Sequence, residues 1–426
     1  MRSSSDGPRP ASRPSPAETP AVLEGIRVLD MSRVLAGPWA GQILADLGAE
    51  VIKIERPGSG DDTRAWGPPW LRDPQGGETG ESAYYLCANR GKRSLAVDLT
   101  RPEGQELIRR LAAKSDVLIE NFKAGGLKRY GLDHDSLHAL NPGLVYCSIT
   151  GFGQDGPRAS QPGYDYLIQA LGGLMSITGE RDGRPGAGPQ KVGVAITDLS
   201  TGLYAVIAIL AALLRRQADG QGEYIDLALL DVQVATLANQ AANYLVSGQV
   251  PQRQGNGHPN IVPYQSFETG DEPLVVAVGN DGQFSRLCAL LGVPELAADP
   301  RFSTNARRVE NRETLIPLLA ARFRTRTAGE WLELLEQSGI PAGPINTIDR
   351  VFDDPQVRHR RMVQELPHPV AGRVPLVASP LRFTRHGPAD VGPPPLLGEH
   401  SAEVLEELLG LDQEQIAALR REGIVQ

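Results

Sequence analysis

The sequence predicts an α/β protein, with a doubly wound parallel sheet in a large domain and a second, smaller α/β domain. Three observations predict it. Short apolar strands alternate with helical segments from Leu23 onward, the 426-residue chain is too long for one small core, and composition shifts to Gly, Pro, Gln and Asn between Asn243 and Gly270.

In chain order, IRVLDMS reads as a strand, GPWAGQILADLG as a helix, and AEVIKIE and RSLAVDL as strands. PEGQELIRRLAAKS then reads as a helix, and DVLIENF and GLVYCSIT as strands. A long helix is expected from Asp198 through GLYAVIAILAALL, and GQGEYIDLALLD gives a turn and a strand. The second unit should hold the strand LVVAVGN and the helices QFSRLCALLG, RETLIPLLAARFRT and GEWLELLEQSG. GPPPLLGEH reads as a rigid extended stretch and SAEVLEELLGLDQEQIAALRREGIV as closing helices. The resulting division is a disordered tail (1–21), a first part of the large domain (22–228), a linker (229–255), a small domain (256–342), and a return that completes the large domain (343–426).

A net charge of −8 without any Lys/Arg block argues against a nucleic-acid partner. Cys87, Cys147 and Cys288 are widely spaced and odd in number, so neither a metal site nor a disulfide framework is signalled, and a reducing, cytoplasmic setting fits. The longest apolar run, Gly202 to Leu214, is too short to span a bilayer and reads as a buried helix, so no membrane partner is expected. The start, MRSSSDGPRPASRPSPAETPA, has no apolar h-region and carries five prolines, which excludes a targeting helix.

Ligands of a doubly wound sheet bind at the carboxyl ends of its strands, so the site is expected there. VLDMSRVLAGPWAGQILADLGAEVIKIERPG contains no G-x-G-x-x-G. Gly37 and Gly41 are read as close packing of helix on strand, and Glu55, followed by Arg56, is a poor ribose ligand. Basic residues gather at the same face: Arg56 and Arg64, Lys92 and Arg93, and Arg129. Singly these are solvated surface, but together they suit a phosphorylated nucleotide carrier. In PGYDYLIQALGGLMSITGE, Asp165 stands ahead of an apolar run, and its local reading is a cap on a helix beginning at Tyr166.

With those motifs in view, the chain resembles the class III CoA-transferase family from Leu23 to Val425, closest to its succinyl-CoA:glutarate branch. The resemblance rests on LEGIRVLDMSRVLAGPWAGQILADLGAEVIKIERPGSGDDTR, ANRGKRSLAVDL, YCSITGFGQDGP, GYDYLIQALGGLMSITGE and GPPPLLGEHS. It implies that Asp165 is a nucleophile that forms acyl anhydride and aspartyl-CoA thioester intermediates while CoA moves from succinyl-CoA to glutarate or a related dicarboxylate. A carboxylate can store the acyl bond without ATP. By the same resemblance CoA would be held by Arg56, Lys92, Asn121, Phe122 and Arg129, and a glycine loop at Gly255 and Gly257 would close over Asp165. Arg33, Arg64 or His258 would meet the substrate carboxylate. The amides of that loop or those near Gly172 and Gly173 are the candidate oxyanion donors. Two interlocked chains, coenzyme A as a substrate and no metal complete the expectation.

Competing functions remain. An α-methylacyl-CoA racemase places a His where this chain has Tyr164, and its partner acid would correspond to Asp198, which reads better as the N-cap of the long helix. A dinucleotide oxidoreductase lacks its glycine fingerprint. A non-catalytic CoA-binding protein would leave Asp165 a mere cap.

Overall fold

The structure, a computed structural model, describes residues 20–386, 389 and 391–426. Residues 1–19 of the expected tail lie outside them. The chain forms two compact units: one comprises the described residues up to Ile168 with Val194–Thr236 and Arg360–Gln426, the other Gln169–Gly193 with Leu237–His359.

The first unit contains β1 (Arg27–Asp30), β2 (Glu50–Glu55), a hairpin of β3 (Trp70–Arg72) and β4 (Glu78–Ser82), then β5 (Lys92–Ala96), β6 (Val117–Glu120), β7 (Val145–Thr150) and β8 (Tyr224–Ala228). Six of these pair in parallel in the order β5-β2-β1-β6-β7-β8, so the winding reverses between β1 and β6. Side-chain alternation along each strand fills both faces. Leu29, Ile52, Leu95 and Leu118 face one core, with the helix Pro102–Ala112 and the closing helices Ser401–Leu409 and Gln413–Arg421. Val28, Val51, Val117 and Val145 face the other, with the helices Ala36–Asp46 and Ile196–Asp219.

The long helix Ile196–Asp219 has hydropathy 1.8, enough by length and composition to cross a membrane, and 44% of that window is buried. The expectation of a buried helix holds for one face only. Ala205, Ile209 and Ala212 pack into the core, whereas Leu203, Ile207 and Leu214 are exposed.

The glycines at the start of Ala36–Asp46 let that helix approach the end of β1. A Cβ on Gly37 would lie 2.2 Å from Ser32 Oγ and 2.3 Å from Ser32 Cβ, and one on Gly41 would lie 2.6 Å from Asp30 Oδ2. Alanine normally gains up to about 1 kcal/mol over glycine inside a helix. Here overpacking, at about 1–3 kcal/mol, outweighs that gain. Gly37→Ala is therefore expected to lower the urea midpoint of unfolding; a raised midpoint would contradict the close approach.

The expected linker, 229–255, is corrected over most of its length, because Leu229–Thr236 and Ala238–Ser247 are helices. Their asparagines and glutamines hide the helical period. The second unit holds a sheet of β9 (Tyr264–Phe267), β10 (Leu274–Ala277) and β11 (Ala342–Pro344), in the order β11-β10-β9, packed by the helices Asp281–Leu290, Arg312–Phe323 and Ala328–Gln337. Its core encloses Arg308, whose guanidinium donates to the carbonyls of Val262 (2.7 Å) and Phe302 (3.0 Å). The first unit resumes with β12 (Val363–His368) and β13 (Gly372–Val377). The extended stretch GPPPLLGEH then runs beside β5: the amide of Gly91 donates to Gly392 O, and that of His400 to Ser94 O.

Candidate active site

At the winding reversal, the loops that leave β1 and β6 splay apart and open a crevice. Asn121, just past β6, ties the two loops together. Its Oδ1 accepts from the Arg33 amide at 2.8 Å and its Nδ2 donates to the Arg33 carbonyl at 2.6 Å. The crevice is a cavity of about 210 Å³ whose lining includes Arg33, Asn121, Phe122, Lys123, Tyr164 and Asp198. Arg33 stands over the Phe122 ring, 5.5 Å from its centroid, and pairs with Asp62 at 3.1 Å.

Asp165 is the first residue of its helix and also bonds to a second one. It opens the helix Asp165–Leu171, in which the Ile168 amide bonds to the Tyr164 carbonyl. Its side chain reaches the start of Ile196–Asp219, where Oδ1 accepts from the amides of Thr197 (2.8 Å) and Asp198 (3.2 Å). Those amides have no intrahelical partner, and the positive end of a 24-residue helix dipole favours an anion there. The carboxylate is thus fixed in direction and half-buried.

Asp198 also departs from its sequence reading. The N-cap is Ala195, and Asp198 lies in the first turn, buried and among the residues that line the cavity. Burial and the neighbouring Asp165 charge push its carboxyl up to about 7. Tyr84 belongs to the same neighbourhood: burial, Asp198, the Cys87 thiol and Asp165 raise its phenol to about 12. Trp66 meets the Tyr84 ring edge-on at 5.1 Å.

Glu120, the last residue of β6, is a buried acid that the sequence reading left unmarked. Burial raises it to about 7 although the Ser148 hydroxyl and the Phe122 amide donate to it. It holds the turn that presents Asn121 and Phe122. The available signal was a carboxylate ending the apolar run VLI at a strand's carboxyl end.

Two of the expected ligand-binding cations are structural. Lys92 Nζ is wholly buried and donates to Asp30 Oδ2 (2.8 Å), Pro38 O (2.9 Å) and Asn89 Oδ1 (3.0 Å), so CoA has no access to it. Arg64 is likewise corrected. It donates to Glu55 through Nε and Nη2 (both 2.8 Å), to Tyr85 (2.6 Å) and to Pro395 O (3.0 Å), and pairs with Glu81, which leaves nothing for a substrate carboxylate. Glu55 serves this network and is no ribose ligand. Arg56 and Arg129 are exposed in the loops after β2 and β6, Arg129 stacking on Tyr130 with its guanidinium 4.5 Å from the centroid.

In the second unit, the expected glycine loop is tied down. The amide of Gly255 donates to Gly179 O (3.1 Å) and that of Gly257 to Gln254 O (3.0 Å), while Arg312 donates to the carbonyls of His258 and Pro259. Neither amide points to an incoming oxyanion in this arrangement. The Gly173 amide turns back to Ala170 O at 3.4 Å. His258 Nδ1 accepts from the Asn260 amide, and burial with the nearby Arg312 charge lowers its pKa. Among the described residues, no group of three or more His, Cys, Asp and Glu could hold a metal ion.

A reversed-winding α/β sheet with a carboxylate on a helix N-terminus at its crevice defines a class that the sequence comparison specifies. The profile of CoA-transferase family III matches residues 23–401, and the chain belongs to this family and is a CoA-transferring enzyme. Succinate–glutarate CoA-transferase of Agrobacterium fabrum is 51% identical over 386 residues, covering 91% of this chain and 95% of that protein. Succinyl-CoA:glutarate CoA-transferase of Homo sapiens is 45% identical over 403 residues, covering 95% and 90%. A crystal structure of a CAIB/BAIF family protein from Brucella suis superposes with a TM-score of 0.80 at 50% identity, covering 92% of this chain and 100% of that one.

Proposed function

We propose that the protein moves CoA from succinyl-CoA to glutarate, or to a dicarboxylate of similar length, through intermediates on Asp165. The observation that carries this is the Asp165 carboxylate held by the amides of Thr197 and Asp198 beside the crevice. The relatives that are 45–51% identical, named for this donor and acceptor, support the substrate pair.

Asp165 attacks the thioester carbonyl of the donor, forming a mixed anhydride and releasing CoA thiolate. The thiolate attacks Asp165 Cγ, which gives an aspartyl-CoA thioester and frees the donor acid. The acceptor carboxylate then attacks Cγ and expels the thiolate. Attack of that thiolate on the acceptor acyl carbon yields the new acyl-CoA and restores Asp165. At each attack on Cγ, negative charge collects on an Asp165 oxygen. The Thr197 and Asp198 amides, 2.8 and 3.2 Å from Oδ1 at rest, are positioned to receive it.

Arg56 and Arg129, exposed beyond β2 and β6, are the cations of the expected CoA set that can still reach phosphate. Asn121 acts by holding the Arg33 loop, and Phe122 lines the cavity. Arg33 supplies the cation for the distal carboxylate of a dicarboxylate by exchanging its exposed bond to Asp62. In a mass-resolved assay with succinyl-CoA and a panel of acids, Arg33→Ala should raise KM for dicarboxylates by about tenfold, the loss of roughly 1.4 kcal/mol, with monocarboxylates unaffected. An equal effect on both acids would remove Arg33 from this role. A two-chain assembly, tested by light scattering, would cover exposed apolar side chains such as Leu245 and Val246.

A further inference from the structure

The chemistry of CoA exchange creates a sulfur anion twice in each cycle, and the crevice contains a group suited to manage it. Resting on the transferase reading above, we infer that the Asp198 carboxyl carries a proton which passes to the CoA sulfur when it leaves and returns to Asp198 when the sulfur attacks again.

The placement supports this. Asp198 is 9% exposed, it is one of the residues lining the cavity, and its backbone amide holds the nucleophile's Oδ1 at 3.2 Å. Among the described residues no cation pairs with its carboxyl, and the charge that acts on it is that of Asp165. Other elements contribute Tyr84 from the helix Ala83–Leu86, and Arg33, Asp62, Lys123 and Tyr164 around the cavity. The helix Ala36–Asp46 has no acid in its first turn.

Charge bookkeeping gives the order of events. At rest the pair holds one negative charge, on Asp165, and one proton, on Asp198. Attack on the thioester makes Asp165 a neutral acyl anhydride and moves the negative charge to sulfur. Asp198 then loses the neighbouring charge that favoured its protonated form and becomes a stronger acid as the thiolate appears. The proton moves from the Asp198 oxygen to sulfur, leaving Asp198 ionised and CoA a thiol. When sulfur attacks Asp165 Cγ the proton goes back, so atoms and charge balance over the cycle. A thiol is a weaker acid than a carboxyl raised to about 7, so transfer to the departing sulfur is downhill, and the return accompanies the sulfur's attack on Cγ.

The test is exchange of isotope-labelled succinate into succinyl-CoA, which requires no knowledge of the acceptor. Wild type, Asp198→Asn and Asp165→Ala are assayed from pH 5.5 to 9, with folding followed by thermal melting. Asparagine keeps the size and the neutral donor of a protonated Asp198 but cannot release a proton. Wild-type kcat/KM should fall as pH rises through about 7, because the free enzyme then loses the Asp198 proton. Asp198→Asn should melt like wild type, lose about 100-fold in kcat with KM little changed, and lack that alkaline limb. Asp198→Asn retaining at least half the wild-type kcat, or a wild type without a limb near 7, overturns the inference; the second criterion decides alone if the variant does not fold. Activity in Asp165→Ala would instead overturn the transferase chemistry on which the inference rests.

Discussion

Replacing Asp165 by Ala should reduce CoA transfer by at least about 10,000-fold, the scale on which removal of a covalent nucleophile acts. The fold should survive. Asp165 is half-buried, and its bonds to the Thr197 and Asp198 amides lie at one end of a long helix whose remaining turns are packed on the sheet. Loss of a capping carboxylate costs about 0.5–2 kcal/mol, small beside the effect on rate. Asp165→Asn is the sharper control, because it keeps the shape and an acceptor for both amides while abolishing the nucleophile. Both variants should be inactive and melt within a few degrees of wild type. A melt lowered by far more, with activity persisting in the folded fraction, would return Asp165 to a purely structural cap.

A large loss of stability, without a specific loss of CoA affinity, is expected for Lys92→Ala. Its ammonium lies between Asp30 Oδ2, Pro38 O and Asn89 Oδ1, all within 3.0 Å. The adjacent Lys53 bonds to Asp61 Oδ2 (2.8 Å) and Ser32 O (3.0 Å), also out of water. Removing one member of a buried pair strands the other, which costs about 3–5 kcal/mol even where the intact pair is worth little. Asp30 is held below its usual range against the cost of burial by Lys92 and Lys53, so the stranded carboxyl must take up a proton or let the helix Ala36–Asp46 shift. Urea unfolding should show the loss, and KM for acyl-CoA should be unchanged where the variant is folded. Unchanged stability with a tenfold rise in KM would restore Lys92 to the CoA site.

The contrast between these residues shows how far the sequence could be read. Strands such as EVIKIE and VYCSIT, and the helix PEGQELIRRLA, declared themselves through period and punctuation, which are local. Strand order is not local: β1 lies between β2 and β6 because of pairings the sequence does not display. The same limit misassigned Lys92. In NRGKRSL it stands beside Arg90 and Arg93 and looks like part of a basic surface, and only the fold brings Asp30, 62 positions earlier, against it. Arg64 failed for the same reason, its acids arriving from β2 and β4. Asp165 was legible through motif resemblance, but not its partner: Oδ1 is held by amides 32 and 33 positions on. Asp198 was misread because an Asp before an apolar helical run is usually a cap, whereas here the helix starts two residues earlier and turns the carboxyl inward. The helices of 229–247 were missed because their asparagines and glutamines blur the apolar period by which a packed helix is recognised.

The most direct test of the central claim is to mix the full-length protein with succinyl-CoA in the absence of acceptor, quench in acid within a second, digest, and weigh the peptides. The account predicts a CoA adduct, with loss of one water, on the peptide containing Asp165, and its disappearance when glutarate is added before the quench. An adduct on another residue, or product formed with no adduct on any peptide under the same quench, would contradict it.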